Sequence, residues 1–188
     1  MPYHNFRHVI DVLQACFHFL VRTGTLSSYQ SIPQTTSTST NPSSSPIAAL
    51  LKPFDALTLL ITAIGHDVGH PGVNNAFLIK LNAPLAQLYN DRSVLESFHC
   101  AAYSQILRRH WPSAFAAVEM RQLMISSILA TDMGLHFDYM KKLGFLEEKL
   151  HENKGTDGWN GRTKEEYRTL ACSLLIKCAD ISNVVCHN

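Results

Sequence analysis

The chain has 188 residues, 46% of them hydrophobic, which suffices for one sizeable core and forces no second domain. With 16 basic residues against 15 acidic ones the formal net charge is +1, so no long-range field draws a nucleic-acid polymer or an anionic membrane surface. No apolar stretch reaches the roughly 18 residues of a membrane span, and the N-terminus MPYHNFRHVI lacks a signal-peptide pattern, so a soluble, cytoplasmic protein is expected.

Apolar residues Val9, Val12, Leu13, Cys16, Phe17 and Leu20 recur at helical spacing and predict a first helix from Asn5 to about Thr23. From Ser27 to Pro46 the Ser/Thr/Pro-rich run has too little apolar surface to offset the entropy of ordering it, and a disordered insertion is expected there, within a single domain over 1–188. Pro53 to Gly65 forms an apolar helical post. Its end runs into GHDVGHPGVNNAF, where His66, Asp67 and His70 cluster beside a proline and a glycine. Ser93 to about His110 predicts another helix, with Leu95, Phe98, Ala102 and Ile106 on one side and Ser93-x-x-Glu96 as a capping box. A further helix follows Pro112 to about Lys142, with a break near Gly134. After the turn-rich KGTDGWNG, Thr163-x-x-Glu166 is expected to cap a last helix that reaches about Asp180. No segment alternates with period two, so the fold class expected is all-α, an irregular multi-helix bundle. The five cysteines, Cys16, Cys100, Cys172, Cys178 and Cys186, contain no C-x-x-C pair and read as reduced thiols.

The chemistry lies at the helix ends. His4 and His8 are spaced i, i+4 and leave one helix face together; alone, such a pair equally suits a surface or capping role. Joined by His66 and Asp67 they form a donor set suited to zinc or another borderline divalent ion, and Asp180 is the candidate fourth ligand. The competing reading of Asp180 is a solvent-exposed aspartate at a helix end.

His4-Asn5-x-x-His8, His66-Asp67-x-x-His70-Pro71-Gly72-x-x-Asn75, Ser93-Val94-Leu95-Glu96-x-x-His99, Ala130-Thr131-Asp132-Met133-x-x-His136 and Cys178-Ala179-Asp180-Ile181-Ser182-Asn183 occur in order along the chain. This series resembles the motifs of the class I 3′,5′-cyclic nucleotide phosphodiesterases, members of the HD phosphohydrolase group, and the insertion after the first helix is closer to fungal members. The resemblance implies metal-dependent hydrolysis of cAMP, cGMP or both to 5′-monophosphates, ending a signal. It implies that His8, His66, Asp67 and Asp180 hold a tight zinc and that Asp67 reaches a second ion, magnesium or manganese. His4 then resembles the general acid. His70, Glu96, His99 and Thr131 resemble residues that hold metal-bound waters or orient His4, and Asn183 is placed with His4 on the substrate side. Asn75 and Asp132 are expected to brace backbone, and His136 is read equally as ligand-side or ordinary.

Gly69 stands where many relatives have aspartate, so altered metal binding is expected. The family's base-binding glutamine and aromatic clamp fall beyond Asn188, so the resemblance implies an incomplete domain with exposed apolar surface and little or no turnover by itself. The alternatives are another HD-type phosphohydrolase acting on nucleotide monoesters, and an inactive module that binds cyclic nucleotide or a partner protein. The oligomeric state is left open.

Overall fold

A computed structural model describes residues 4–27, 45–152, 155, 156 and 158–182. Among them are nine α-helices and no strand: α1 (Phe6–Arg22), α2 (Pro53–Gly65), α3 (Asn75–Lys80), α4 (Pro84–Leu88), α5 (Val94–His110), α6 (Pro112–Ala116), α7 (Val118–Leu129), α8 (His136–Glu152) and α9 (Gly161–Ser182), with a 3-10 turn at Met133–Leu135 before α8. The all-α expectation holds. No helix among the described residues is long and apolar enough to cross a membrane. The expected insertion lies almost wholly outside the described residues, as do Asn183 and Cys186.

Helix α1 starts where the Asn5 side chain accepts from the backbone N–H groups of Arg7 and His8, at 2.8 and 3.2 Å. Its buried residues, His8, Val12, Cys16 and Leu20, recur every fourth position. Phe17, expected on that face, is 46% exposed. Helix α2 has the predicted limits. Pro53 opens it, Asp55 Oδ2 accepts from the Lys52 N–H at 2.8 Å, and buried Thr58 and Thr62 donate back to Phe54 and Thr58 carbonyls, so the buried face of the helix leaves these hydroxyls satisfied.

The central layer packs α1, α2, α7 and α9 through Val12, Cys16, Leu59, Leu123, Cys172 and Ile176. Each fully buried large aliphatic chain of that kind contributes about 1.5–3 kcal/mol over exposure. A second cluster sets α5 and α6 against α7, with Ile61 of α2, Tyr103, Leu107 and Met124 at its centre. Buried Arg168 on α9 pairs with Asp55 and Glu165, tying the first turn of α2 to α9. Cys16, Cys100 and Cys172 are free and buried, and Cys178 is free and exposed.

Four expectations are corrected. The inward side of α5 runs through His99, Cys100, Tyr103 and Leu107, leaving Ile106 42% exposed, because α5 must face both α7 and the histidines described below. The Ser93–Glu96 capping box does not form. Ser93 adopts a left-handed backbone at φ 41° and its hydroxyl donates to Asp132 instead, while the Leu95 N–H is taken by Asn75 Oδ1. Helix α9 is capped not by Thr163 but by Asn160, whose Oδ1 accepts from the Thr163 N–H at 2.8 Å. The helix expected after Pro112 divides into α6, α7 and α8, since extended backbone at Ala117 ends α6 and the Asp132 turn ends α7, and α8 continues past Lys142 to Glu152. Helices α3 and α4 were not anticipated; the local signals are Asn74, which caps Phe77, and Pro84 at a first helical position.

Candidate metal centre

Three helices from distant parts of the chain end at one point. His8 comes from the first turn of α1, His66 is the C-cap of α2 with Asp67 next in sequence, and Asp180 sits in the last turn of α9. Nε2 of His8 lies 3.3 Å from Asp67 Oδ2 and 3.2 Å from Asp180 Oδ1; Nε2 of His66 lies 3.3 Å from each. All four donor atoms fall within 4.8 Å of one another. Ligands about 2.0–2.1 Å from a common divalent ion stand about 3.0–3.4 Å apart along the edges of its coordination shell, so two imidazoles and two carboxylates at this spacing fit such an ion. Asp180 therefore faces the cluster, which decides against the exposed helix-end reading.

Local structure prepares the donors. His66 Nδ1–H donates to the Ala63 carbonyl at 2.9 Å, which turns Nε2 to the carboxylates. Burial pulls both imidazoles down, but hydrogen bonds to Asp180 and Asp67 outweigh it and lift His8 to about 9 and His66 to about 10. Burial likewise opposes ionisation of Asp67 and Asp180, yet bonds from His66 and His8 hold both below the usual carboxylate range. In the ion-free chain the raised histidines stabilise the fold fully below about pH 6.5 and lose that contribution as pH rises through about 9–10. An ion needs those nitrogens unprotonated, so its effect has the opposite slope. Ion uptake at pH 7 is expected to release about one to two protons, and the melting-point gain from Zn2+ to grow between about pH 6 and 8. Calorimetry in buffers of different ionisation enthalpy counts those protons; zero release would contradict the assignment.

Beside the cluster opens a cleft of about 620 Å³, lined by His4, Asp67, His70, Glu96, His99, Thr131 and Asp180 among others. His4 precedes α1 rather than lying in it, as Asn5 is the cap, yet its ring remains 5.8 Å from that of His8 and its Nε2 is 3.8 Å from Asp67 Oδ2. It stacks on His70 at 3.7 Å between centroids, and His70 stacks in turn on His99 at 5.4 Å. The Gly72 N–H donates to His70 Nδ1 at 3.0 Å, and burial together with nearby His4 pushes His70 down to about 4, keeping it neutral. His99 Nδ1–H donates to the Val68 carbonyl and presents Nε2 to Asp67 Oδ1 at 3.8 Å. Glu96 accepts from Asn75 Nδ2 at 2.9 Å, and burial raises its carboxyl. The Thr131 hydroxyl donates to the Ile128 carbonyl. Asn75 and Asp132 brace backbone as expected, at Leu95 and Gly134. His136 does not line the cleft. At Gly69, φ is +74° and an added Cβ would meet the Phe98 ring at 2.9 Å, so a side chain at this position would be strained and crowded. Sequence reasoning missed Lys177, buried one turn before Asp180; its signal was a lone lysine inside the Leu/Ile-rich run.

The model of the 3′5′-cyclic nucleotide phosphodiesterase family matches residues 3–187. The chain is 37% identical to 3′,5′-cyclic-nucleotide phosphodiesterase 2 of Saccharomyces cerevisiae, over 97% of its own length and 27% of that protein's. It is 35% identical to the mouse high affinity cGMP-specific 3′,5′-cyclic phosphodiesterase 9A, over 98% of the chain and 30% of that protein. The crystal structure of yeast caPDE2 superposes with a TM-score of 0.77 at 42% identity, covering 97% of this chain and 36% of the other. The chain thus spans about a third or less of the length of these relatives. It belongs to the 3′5′-cyclic nucleotide phosphodiesterase family.

Proposed function

We propose that this member of the family supplies the metal-binding half of a catalytic domain of HD phosphohydrolase type that hydrolyses 3′,5′-cyclic nucleotides, cAMP or cGMP, to 5′-monophosphates in the cytoplasm. The observation that carries the reading is the meeting of His8, His66, Asp67 and Asp180 at the floor of a cleft edged by His4. The imidazole-rich set suits zinc. Asp67, with its second oxygen turned toward the cleft wall and His99, suits a shared ligand to magnesium or manganese. When bound, such a pair of ions supplies Lewis acidity at the phosphoryl group and a nucleophile from water at neutral pH.

The chain's own residues do the rest. His4 stands at the cleft edge and is the group able to hand a proton to the departing ribose oxygen. His70, held neutral beneath it, fixes the His4 ring by stacking without adding a competing charge. Glu96, His99 and Thr131 line the cleft wall and would hold water bound to a second ion. Asn183 remains assigned to the substrate side on its sequence motif.

Elemental analysis paired with hydrolysis of cAMP and cGMP in added Mg2+ or Mn2+ tests this. About one zinc per chain is expected; folded protein with none would overturn the reading. His4→Gln is expected to retain that zinc while lowering kcat by about 10²–10⁴ wherever turnover is measured. Loss of zinc from this variant would make His4 a ligand rather than an acid.

A further inference from the structure

Lys177 is the largest fully buried side chain among the described residues, 1% exposed, although it lies one turn before Asp180 in α9. Its ammonium donates to the carbonyl oxygens of Ala130 at 3.0 Å and Asp132 at 3.1 Å, with Met133 Sδ at 3.8 Å and the Tyr139 ring 5.8 Å away. The Ala130 carbonyl is at the C-cap of α7, where the helix leaves C=O groups without intrahelical partners, and the Asp132 carbonyl opens the 3-10 turn that follows, where it also accepts from the Leu135 N–H at 3.2 Å. A methionine would fill the same volume without the cost of desolvating a charge. What it would not do is bind two particular carbonyls at once.

We propose that Lys177 is a positioning residue of the cleft, pinning the Thr131–Met133 wall to the α9 turn that carries Asp180. The wall is in turn tied across the cleft. Asp132 Oδ2 accepts from Ser93 Oγ at 2.7 Å at the start of α5, and α5 presents Glu96, which holds Asn75 of α3. A displacement at Lys177 therefore changes the spacing between the tight site and the residues facing the second ion, while leaving the four tight ligands in place. This rests on the two-ion reading above.

The test is Lys177→Met in the full chain, with three readouts: zinc content, Mn2+ affinity of the zinc-loaded protein by electron paramagnetic resonance, and amide exchange over residues 131–135. Zinc is expected to stay, the Mn2+ dissociation constant to rise about tenfold, and exchange to quicken, with Lys177→Arg restoring much of the loss. A merely structural role would weaken both ions together. If Lys177→Met does not fold, Ser93→Ala cuts the same tie at its outer end and is expected to weaken Mn2+ about threefold. Unchanged Mn2+ affinity with zinc retained overturns the proposal. Wild-type protein that binds no ion overturns the two-ion reading, and amide exchange then decides the pin alone: quickened exchange supports it and unchanged exchange refutes it.

Discussion

Asp67→Ala is expected to abolish divalent-ion binding at the cluster, and with it the cyclic-nucleotide hydrolysis proposed above. Asp67 Oδ2 is 3.3 Å from the Nε2 atoms of both His8 and His66, and its other oxygen faces His99. Among the described residues, no other carboxylate pairs with both histidine ligands and with His99. Its removal leaves two imidazoles and one carboxylate, and strips from those imidazoles a partner that offsets their burial. Ion content measured by elemental analysis is expected to fall to background and kcat/KM by at least about 10³, as when an essential member of a catalytic unit is lost. Asp67→Asn, which keeps the shape and removes the charge, separates electrostatics from packing. Near wild-type zinc in Asp67→Ala would remove Asp67 from the ligand set.

Gly65→Ala is expected to be strongly destabilising for the addition of a single methyl group. An added Cβ would lie 2.3 Å from the Tyr103 ring, far inside contact distance, and that ring is held by its hydroxyl's 2.8 Å bond to the Ile61 carbonyl. Glycine is required here by close approach, not by an unusual backbone angle. Moving the ring strains the α2–α5 contact, at about 1–3 kcal/mol for overpacking, and breaks a buried hydrogen bond worth about 1 kcal/mol. Since His66 follows directly, the displacement is also passed to a ligand. Denaturant unfolding is expected to show a loss of about 2–4 kcal/mol, and Gly65→Ala combined with Tyr103→Leu is expected to recover part of it by vacating the ring's space. Wild-type stability in the single variant would show that α5 moves aside at no cost.

Much of this was legible in the chain because the relevant signals are local. The limits of α2 follow from Pro53 at one end and the Gly65–His66 break at the other, and the ligands sit in motifs whose spacing could be read directly. What could not be read were choices made by tertiary partners. Ser93 and Glu96 spell a capping box, but each finds a stronger partner elsewhere, in Asp132 and Asn75. Phe98 and Ile106 fit an apolar stripe on α5, yet the helix rotates to bury His99 and Tyr103 because both have work across an interface. Lys177 looked ordinary since nothing near it in sequence indicates the two carbonyls, more than forty positions earlier, that it meets.

The origin of the ligands in three separate helices governs when the centre can come into being. In chain order His8 comes first, His66 and Asp67 next, and Asp180 last, in the final turn of α9. A nascent chain that has not yet released that turn owns three quarters of a coordination shell and no enclosed floor. A complete coordination shell therefore requires the last turn of α9 to be docked against α1. Ion loading by all four ligands is thus expected to report on the docking of α9.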